Sequence, residues 1–340
     1  MTSLTKLLTS SPASGKLRPI DLHKDLNRVA DLMERCFADT LDPDGQRYLQ
    51  QMRSAAGNPG YLRWAGMAAD GGSIPVSGFV WEESGDIVGN LTLIPYYSLS
   101  RRYFLVANVA VHPDFRRRGI ASSLTLKALE HARQRGAQSV WLHVRDENDG
   151  AIRLYRSLGF TERARRSTWH AQAPSRETAV TSGQAATLNL LEAPSHPTVH
   201  VLSRRSGDWR YQQSWLVDLY PAELNWHISL RLPALRPDLW GFFFRFMNDL
   251  QVRQWSAWQN DRLVGVLAWQ AMPAYADALW LAVHPQHAND AATALLGYVL
   301  RNPPLRRPLA LDYPAGHASQ AIESAGFHLH QTLIWMSLEL

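Results

Sequence analysis

Three short strings recur in the same order along this 340-residue chain: GDIVG at Gly85–Gly89 and NDRLVG at Asn260–Gly265, VAVHP at Val109–Pro113 and LAVHP at Leu281–Pro285, RSLGF at Arg156–Phe160 and ESAGF at Glu323–Phe327. Read on the last residue of each pair, the separations are 176, 172 and 167 residues. Chance produces one such match; three in order require an internal duplication. The chain is therefore expected to fold as two related units, each of ordinary domain length.

The first repeat reads as strand, helix, meander. LRPID (Leu17–Asp21) alternates like a short strand, and Leu26, Val29, Leu32, Met33 and Phe37 recur at helical spacing behind an Asp able to cap. GFVWEESGDIVGNLTLIPY sets a Ser-Gly-Asp turn between two β-rich runs, and RRYFLVANVAVHP is a third, which predicts antiparallel pairing. A loop at Arg116–Ala121, a helix over Ala121–Arg135, the strand SVWLHVR and the helix AIRLYRSLGF follow, the last stopping at Gly159. The second repeat runs in the same order from TVHVLSRR through VRQWSAWQNDRLVGVLAWQ, ALWLAVHP, AATALLGYVL and HASQAIESAGF to a terminal strand. Residues 1–15 read as a flexible N-terminus, 16–172 as the first domain, 173–196 as a Ser-, Pro- and Thr-rich linker and 197–340 as the second domain.

Composition excludes several classes. With 46% hydrophobic and 19% charged residues the chain can bury a core, so global disorder is out. No window approaches the roughly eighteen apolar residues of a membrane helix, and the start carries one Lys and no long apolar run. The single cysteine, Cys36, permits no internal disulfide and no cysteine zinc site, so a reducing cytoplasmic setting without metal or membrane is expected. The net charge of +5 rests on 31 Arg and 4 Lys scattered among acids, which disfavours nucleic-acid binding and leaves a local anion site as the better use of the cations. Self-association is compatible with the sequence but not legible in it.

The candidate anion site is the run from Arg116 to Ser122. A strand passes through Arg116, Arg117, Arg118, Gly119, Ile120, Ala121 and Ser122 directly into a helix, and the small residues leave backbone amides uncovered beside cationic side chains. Helix-start amides and the helix dipole favour phosphate oxygens. Neither the Walker pattern nor GxGxxG is present, and on the loop alone a solvated basic turn is an equal reading.

In this context Arg116, Gly119 and Ala121 resemble the Gln/Arg-x-x-Gly-x-Gly/Ala signature of the GNAT superfamily of acyl-CoA N-acyltransferases, and Asn148, Ala151, Tyr155, Gly159 and Phe160 stand as its downstream NxxAxxxYxxxGF pattern. The wording LHVRDENDGAIRLYRSLGF is similar to N-terminal protein acetyltransferases, including those acting on ribosomal proteins. The resemblance implies an α/β (α+β) fold of two tandem GNAT-like domains, each a mixed, mostly antiparallel twisted sheet flanked by helices. It implies acetyl-CoA (coenzyme A) as cofactor and transfer of the acetyl group to a primary amine of a small molecule, peptide or protein. Main-chain groups of Asn108, Val109, Ala110 and Val111 would pair with the pantetheine arm between splayed strands. Arg116, Arg117, Arg118, Gly119, Ile120, Ala121 and Ser122 would hold the pyrophosphate, Tyr155 would protonate the leaving thiolate, and Asn148 would either meet the pantetheine region or cap its helix. A non-catalytic acyl-CoA-binding protein is the alternative, because the pantetheine strand carries no carboxylate to act as base. Glu82, Glu83, His112 and His143 are conceivable bases, as is a water chain.

Sliding LAVHP onto VAVHP sets Ala288, Asp290, Ala291 and Thr293 where Arg116, Arg118, Gly119 and Ala121 stand, and sliding the GF pair sets Ile322 where Tyr155 stands. The second domain is thus expected to be degenerate, with no acyl-CoA site, and to shape the acceptor side of the cleft. Cys36 falls on the apolar side of its helix, where an inert thiol is expected.

Overall fold

The computed structural model describes residues 15–57, 77–98, 101–172, 199–224, 228, 230–302, 304 and 307–340. The linker expected over 173–196 lies outside the described residues, as does the expected N-terminus except Gly15. Two compact units are present: one runs to Ala164 and takes back Ile334–Leu340, the other is Arg165–Leu333.

The first unit contains β1 (Lys16–Pro19), α1 (Leu22–Phe37), α2 (Pro43–Ala56), β2 (Ser77–Glu83), β3 (Asp86–Ser98), β4 (Arg101–Val111), α3 (Ile120–Gln134), β5 (Ser139–Arg145) and α4 (Asp149–Ser157), and the start of β6 (Thr161–Ala171). In the second are the rest of β6, then β7 (His200–Ser203), α5 (Trp209–Leu219), α6 (Leu232–Leu235), α7 (Leu239–Met247), β8 (Val252–Gln259), β9 (Arg262–Gln270), β10 (Asp277–Val283), α8 (Ala288–Arg301), β11 (Leu309–Pro314), α9 (Ser319–Ser324) and the start of β12 (His328–Glu339). The sheet of the first unit is ordered β1-β2-β3-β4-β5-β12-β6, and that of the second β7-β8-β9-β10-β11-β6-β12. Pairing is antiparallel from β1 to β4 and parallel between β4 and β5; likewise antiparallel from β7 to β10 and parallel between β10 and β11. The strands thus form one mixed, mostly antiparallel twelve-stranded sheet flanked by helices, in place of the separate sheet per domain expected from the sequence.

The partition differs from the contiguous boundaries read from sequence. The strand between β5 and β6 in the first unit is the end of the chain, whose Ile334 and Met336 are 1% and 0% exposed in a core with Leu91, Leu93, Val106, Leu124, Ala128 and Tyr155. Reciprocally, the second part of β6 brings Trp169 and Ala171 into the second unit's core with Leu279, Leu295 and Phe327. Strand periodicity specifies which face of a strand is buried but not which neighbour it pairs with.

Helix α1 begins at Leu22, capped by the Asp21 carboxylate accepting from His23 N–H at 3.0 Å. Asp25, inside the helix, is buried and accepts from Arg18 Nη1 at 2.5 Å. Together α1 and α2 cover one face of the sheet, with Leu26, Val29, Leu49 and Met52 on Val80, Ile87 and Ala110. Helix α2 was not anticipated from the sequence; its start is a Pro behind Asp42, which accepts from Gly45 N–H at 2.7 Å.

The duplication is legible in backbone detail. Ser84 and Gly85 turn the β2–β3 hairpin with φ of 54° and 89°, and Asn260 and Asp261 turn β8–β9 with 49° and 59°. The His112 side chain accepts from Asp114 N–H at 3.3 Å, and that of His284 from Gln286 N–H at 3.3 Å. A Cβ on Gly89 would lie 2.7 Å from Ile120 Cγ2 and 3.2 Å from Leu124 Cδ1; on Gly265 it would lie 3.0 Å from Ala291 Cβ and 3.1 Å from Leu295 Cδ1. In each unit a glycine in the third strand lets the central helix rest on the sheet.

Candidate active site

In the first unit β4 leaves the sheet through a turn at Pro113–Phe115, and Arg116–Gly119 then separate that turn from α3. Two of these four residues are left-handed, Arg117 with φ 66° and Gly119 with φ 77°. Arg116 before them is extended, and the two left-handed residues bend the loop into a small nest of backbone ahead of the helix start. The first bond into the helix is Ser123 N–H to Gly119 O at 2.9 Å, so the amides of Ile120, Ala121 and Ser122 have no intrahelical acceptor. Gly119 supplies the N-cap without a side chain to compete for them.

The three arginines differ. Arg116 Nε donates to Val111 O at 3.2 Å, and Arg118 donates to Asp114 O at 3.2 Å, lies 3.5 Å from Glu83 Oε1 and stacks over Phe115 at 4.8 Å. Arg117 is exposed and, among the described residues, makes no hydrogen bond or ion pair. Of the three it alone is uncommitted among the described residues.

Beside the nest, β4 carries an irregularity. The β3–β4 register slips between Asn90/Ala110 and Thr92/Ala107, and Asn108 sits in the bulge with φ 53°. Asn tolerates this conformation better than most residues. Its carbonyl accepts from Asn90 Nδ2 at 2.9 Å, and its own Nδ2 donates to Tyr48 Oη at 3.0 Å and reaches Thr92 Oγ1 at 3.5 Å. Asn90 and Thr92 are 0% and 1% exposed, and Asn90 Oδ1 has no hydrogen-bond partner among the described residues. Burial pushes the Tyr48 hydroxyl up to about 12, so it stays a neutral member of this network. Parallel pairing of β4 with β5 covers Tyr103–Val106 against Ser139–Leu142 and ends there. Of the residues expected to face a pantetheine arm, Val109 and Val111 pack toward α3, Ala110 toward α1 and α2, and the Asn108 carbonyl is held by Asn90.

Tyr155 lies in α4 with its ring edge-on to Phe160 at 5.9 Å. It is 6% exposed, and burial pushes its hydroxyl up to about 12; that hydroxyl makes no hydrogen bond among the described residues. Asn148 caps α4, its Oδ1 accepting from Ala151 N–H at 3.1 Å. Among the candidate bases, Glu82 accepts from Arg18 Nε at 2.7 Å, Glu83 faces Arg118, His112 Nε2 lies 2.7 Å from Arg35 Nη1, and His143 stacks on Trp335 at 4.1 Å. Cys36 is half-buried with its thiol on Val111 O at 3.4 Å, and burial pushes its pKa up, as expected of an inert thiol.

The Asn90, Thr92 and Tyr48 network was not found by sequence reasoning. The one signal was Asn108 itself, a turn-former in the middle of a β-rich run.

In the second unit the corresponding turn is Pro285–His287, and α8 opens at once at Ala288 with no left-handed residue between. Packing sets Ala291 on Gly265 as Ile120 sits on Gly89, one residue away from the match to Gly119 given by sliding the sequences. The loop is therefore one residue shorter, and Ala288, Asn289 and Asp290 are absorbed into the first helical turn. The β9–β10 register runs without a slip from Ala278/Gln270 to Val283/Gly265. Val266, Ala268 and Trp280 stand in place of Asn90, Thr92 and Asn108, all buried. Ile322, in place of Tyr155, is 0% exposed.

In the first unit a bulged fourth strand thus feeds an arginine-flanked set of amides at a helix start. Residues 27–160 match the Acetyltransferase (GNAT) family. The chain is similar to the ribosomal protein bS18-alanine N-acetyltransferase of Salmonella typhimurium, 41% identical over 73 residues, which are 22% of this chain and 49% of that protein. It is also similar to the mycothiol acetyltransferase of Thermobifida fusca, 39% identical over 94 residues, 28% of this chain and 27% of that one. The chain spans about half the length of the bS18-acetyltransferase relatives it matches. A GCN5-related N-acetyltransferase from Sphaerobacter thermophilus shares the fold, with TM-score 0.55 and 15% identity over 97% of both chains.

Proposed function

We propose that this protein is an acetyl-CoA-dependent N-acetyltransferase with one working site, in the first unit, and that the second unit is a degenerate copy. The observation that carries this reading is the entry to α3: left-handed Arg117 and Gly119, three amides without an intrahelical acceptor and one uncommitted guanidinium. Amides and a cation converging on one point suit a diphosphate, and a side chain at Gly119 would intrude on them.

Bound acetyl-CoA supplies the acetyl group as an activated thioester. The amides of Ile120, Ala121 and Ser122 and the Arg117 guanidinium bind its diphosphate, while Asn108–Val111, beyond the end of the β4–β5 ladder, line the pantetheine arm. The bulge, with the Asn108 carbonyl held by the Asn90 side chain, takes the backbone at Asn108 out of the regular ladder beside the pantetheine arm. Tyr155 Oη carries a proton at neutral pH and is the donor to the departing sulfur; burial in the free protein pushes its pKa up to about 12 and so makes it a weaker acid, which the developing thiolate charge must offset. The acceptor is a primary amine of a small molecule, peptide or protein, attacking in neutral form.

Calorimetric titration with acetyl-CoA should give one site per chain. A screen of small primary amines and peptide N-termini, read by free-thiol release, should give acceptor-dependent turnover. Binding without thiol release from any acceptor would leave a non-catalytic acyl-CoA-binding protein, and absence of binding would overturn the reading.

A further inference from the structure

Helix α7 presents to solvent the face that an amphipathic helix ordinarily buries. Leu239, Phe242, Phe243, Phe246 and Met247 fall at i, i+3, i+4, i+7 and i+8, and they are 86, 64, 52, 73 and 63% exposed, with Trp240 beside them at 60%. The helix is fixed in this orientation by polar contacts. Asp238 caps it, accepting from Gly241 N–H at 2.9 Å, and Gly241 is packed so closely that a Cβ would fall on the Arg236 carbonyl. Arg245, the one cation within the helix, is turned inward, donating to Ala234 O at 2.8 Å and Arg236 O at 2.9 Å. Rolling α7 to hide its apolar stripe would break the cap and both arginine bonds.

We propose that this stripe is a self-association face, docking against the same stripe of a second copy of the chain. Area is the first reason: at about 150–250 Å² per large side chain and the exposures above, the six residues offer roughly 600–1,000 Å², a range that brackets the ~800 Å² per partner of a stable interface. Contiguous apolar patches larger than a few hundred Å² are uncommon on monomers. Charge is the second. The stripe carries none, Arg245 points inward and Arg236 is paired with Asp238, so two copies meet about a two-fold axis without like-charge repulsion. An anionic bilayer would call for free cations along the rim of the stripe, which these pairings remove. The proposal is independent of the chemistry of the first unit.

Sedimentation equilibrium of the full chain over micromolar concentrations should give a species of twice 38.4 kDa. The double variant Phe242→Glu, Phe246→Glu should weaken self-association by at least about a hundredfold, as loss of central aromatic anchors does, with an unchanged circular dichroism spectrum and melting temperature. These residues are already exposed, so the variant is expected to fold. A single Phe243→Arg variant, placing like charges opposite one another at the middle of the stripe, should act in the same direction. A wild-type chain that stays monomeric through the range, or a dimer indifferent to both variants, would overturn the proposal. So would a monomeric wild type that co-sediments with phosphatidylcholine/phosphatidylglycerol vesicles while the double variant does not, which would assign the stripe to a membrane surface instead.

Discussion

The two units share a scaffold and differ at one corner. Both have a hairpin turned by two left-handed residues, a glycine beneath the central helix and a histidine-capped turn at the end of the fourth strand. In the first unit that turn is followed by four residues that form a nest; in the second, α8 begins directly. A loop shorter by one residue lets the helix extend backward, which removes the left-handed turn and sets Asp290 in the first helical turn, where its charge opposes an anion. Upstream, replacing the polar trio Asn90, Thr92 and Asn108 by Val266, Ala268 and Trp280 accompanies restoration of a continuous ladder. A bulge in a strand interior is stable where side chains satisfy the backbone it displaces, and it vanishes where they are apolar. The bulge and the loop depend on local irregularity, whereas the scaffold depends on regularity, so two copies of one scaffold can differ in the former and share the latter.

The largest expected effect concerns the scaffold. A fragment of residues 1–172 lacks the strand between β5 and β6 together with Ile334 and Met336, buried groups whose truncation costs about 2–5 kcal/mol each against a total stability of about 5–15 kcal/mol. It should show no cooperative melt and bind no acetyl-CoA, and a peptide of residues 328–340 added in trans should restore both in part. A fragment melting like the intact chain would break the unit composition described above.

Next comes the nest. Gly119→Val places a β-branched residue at φ 77° and should abolish acetyl-CoA binding by calorimetry, while Asp290→Ala in the second unit should leave the stoichiometry at one per chain. A second site appearing in the Asp290 variant would show that the second copy has lost less than is proposed.

Turnover should fall about ten- to a thousandfold in Tyr155→Phe with little change in acetyl-CoA affinity, as for loss of a general acid. Burial raises the Tyr155 pKa to about 12, so the proton is held below that value and lost above it. The ratio of parent to variant rates should therefore be flat from about pH 7 to 10 and shrink only on approach to about pH 12.

A smaller effect tests the bulge. Asn90→Leu removes the donor to the Asn108 carbonyl and should lower stability by about 1–3 kcal/mol, the cost of an unsatisfied buried group, and lower kcat more than it raises KM for acetyl-CoA. Asn108→Gly, which accepts positive φ, should retain more activity than Asn108→Val. Smallest and shared by both units, Gly89→Ala and Gly265→Ala should each cost about 1–3 kcal/mol by overpacking beneath α3 and α8, seen as similar drops in melting temperature.

The loop between β4 and α3 was legible as a strand-to-helix turn because its residue types are constrained by backbone geometry: Gly119 supplies a left-handed cap, and the strand-to-helix context is visible in periodicity. The helix at Pro43–Ala56 and the single turn at Leu232–Leu235 were not legible, since segments of mixed polarity or of one turn carry weak periodicity and take their conformation from packing and caps. Asn148 was open between cap and ligand contact on sequence grounds; its Oδ1 is bonded to Ala151 N–H. Division of labour among Arg116, Arg117 and Arg118 was also closed to sequence reasoning, because identical side chains differ only in which carbonyl or carboxylate lies within reach.

The sequence by itself determined the duplication, the order of strands and helices, and the loop at Arg116–Ser122, because each follows from short-range patterns: recurring strings, alternation, and glycine where a turn requires it. Only the tertiary structure decided which strand completes which unit, which arginine remains uncommitted, and that Asn90, Thr92 and Tyr48 converge on Asn108 across 16 to 60 residues of chain. Those are long-range pairings, and a strand with one buried face is compatible with more than one neighbour until the whole sheet assembles.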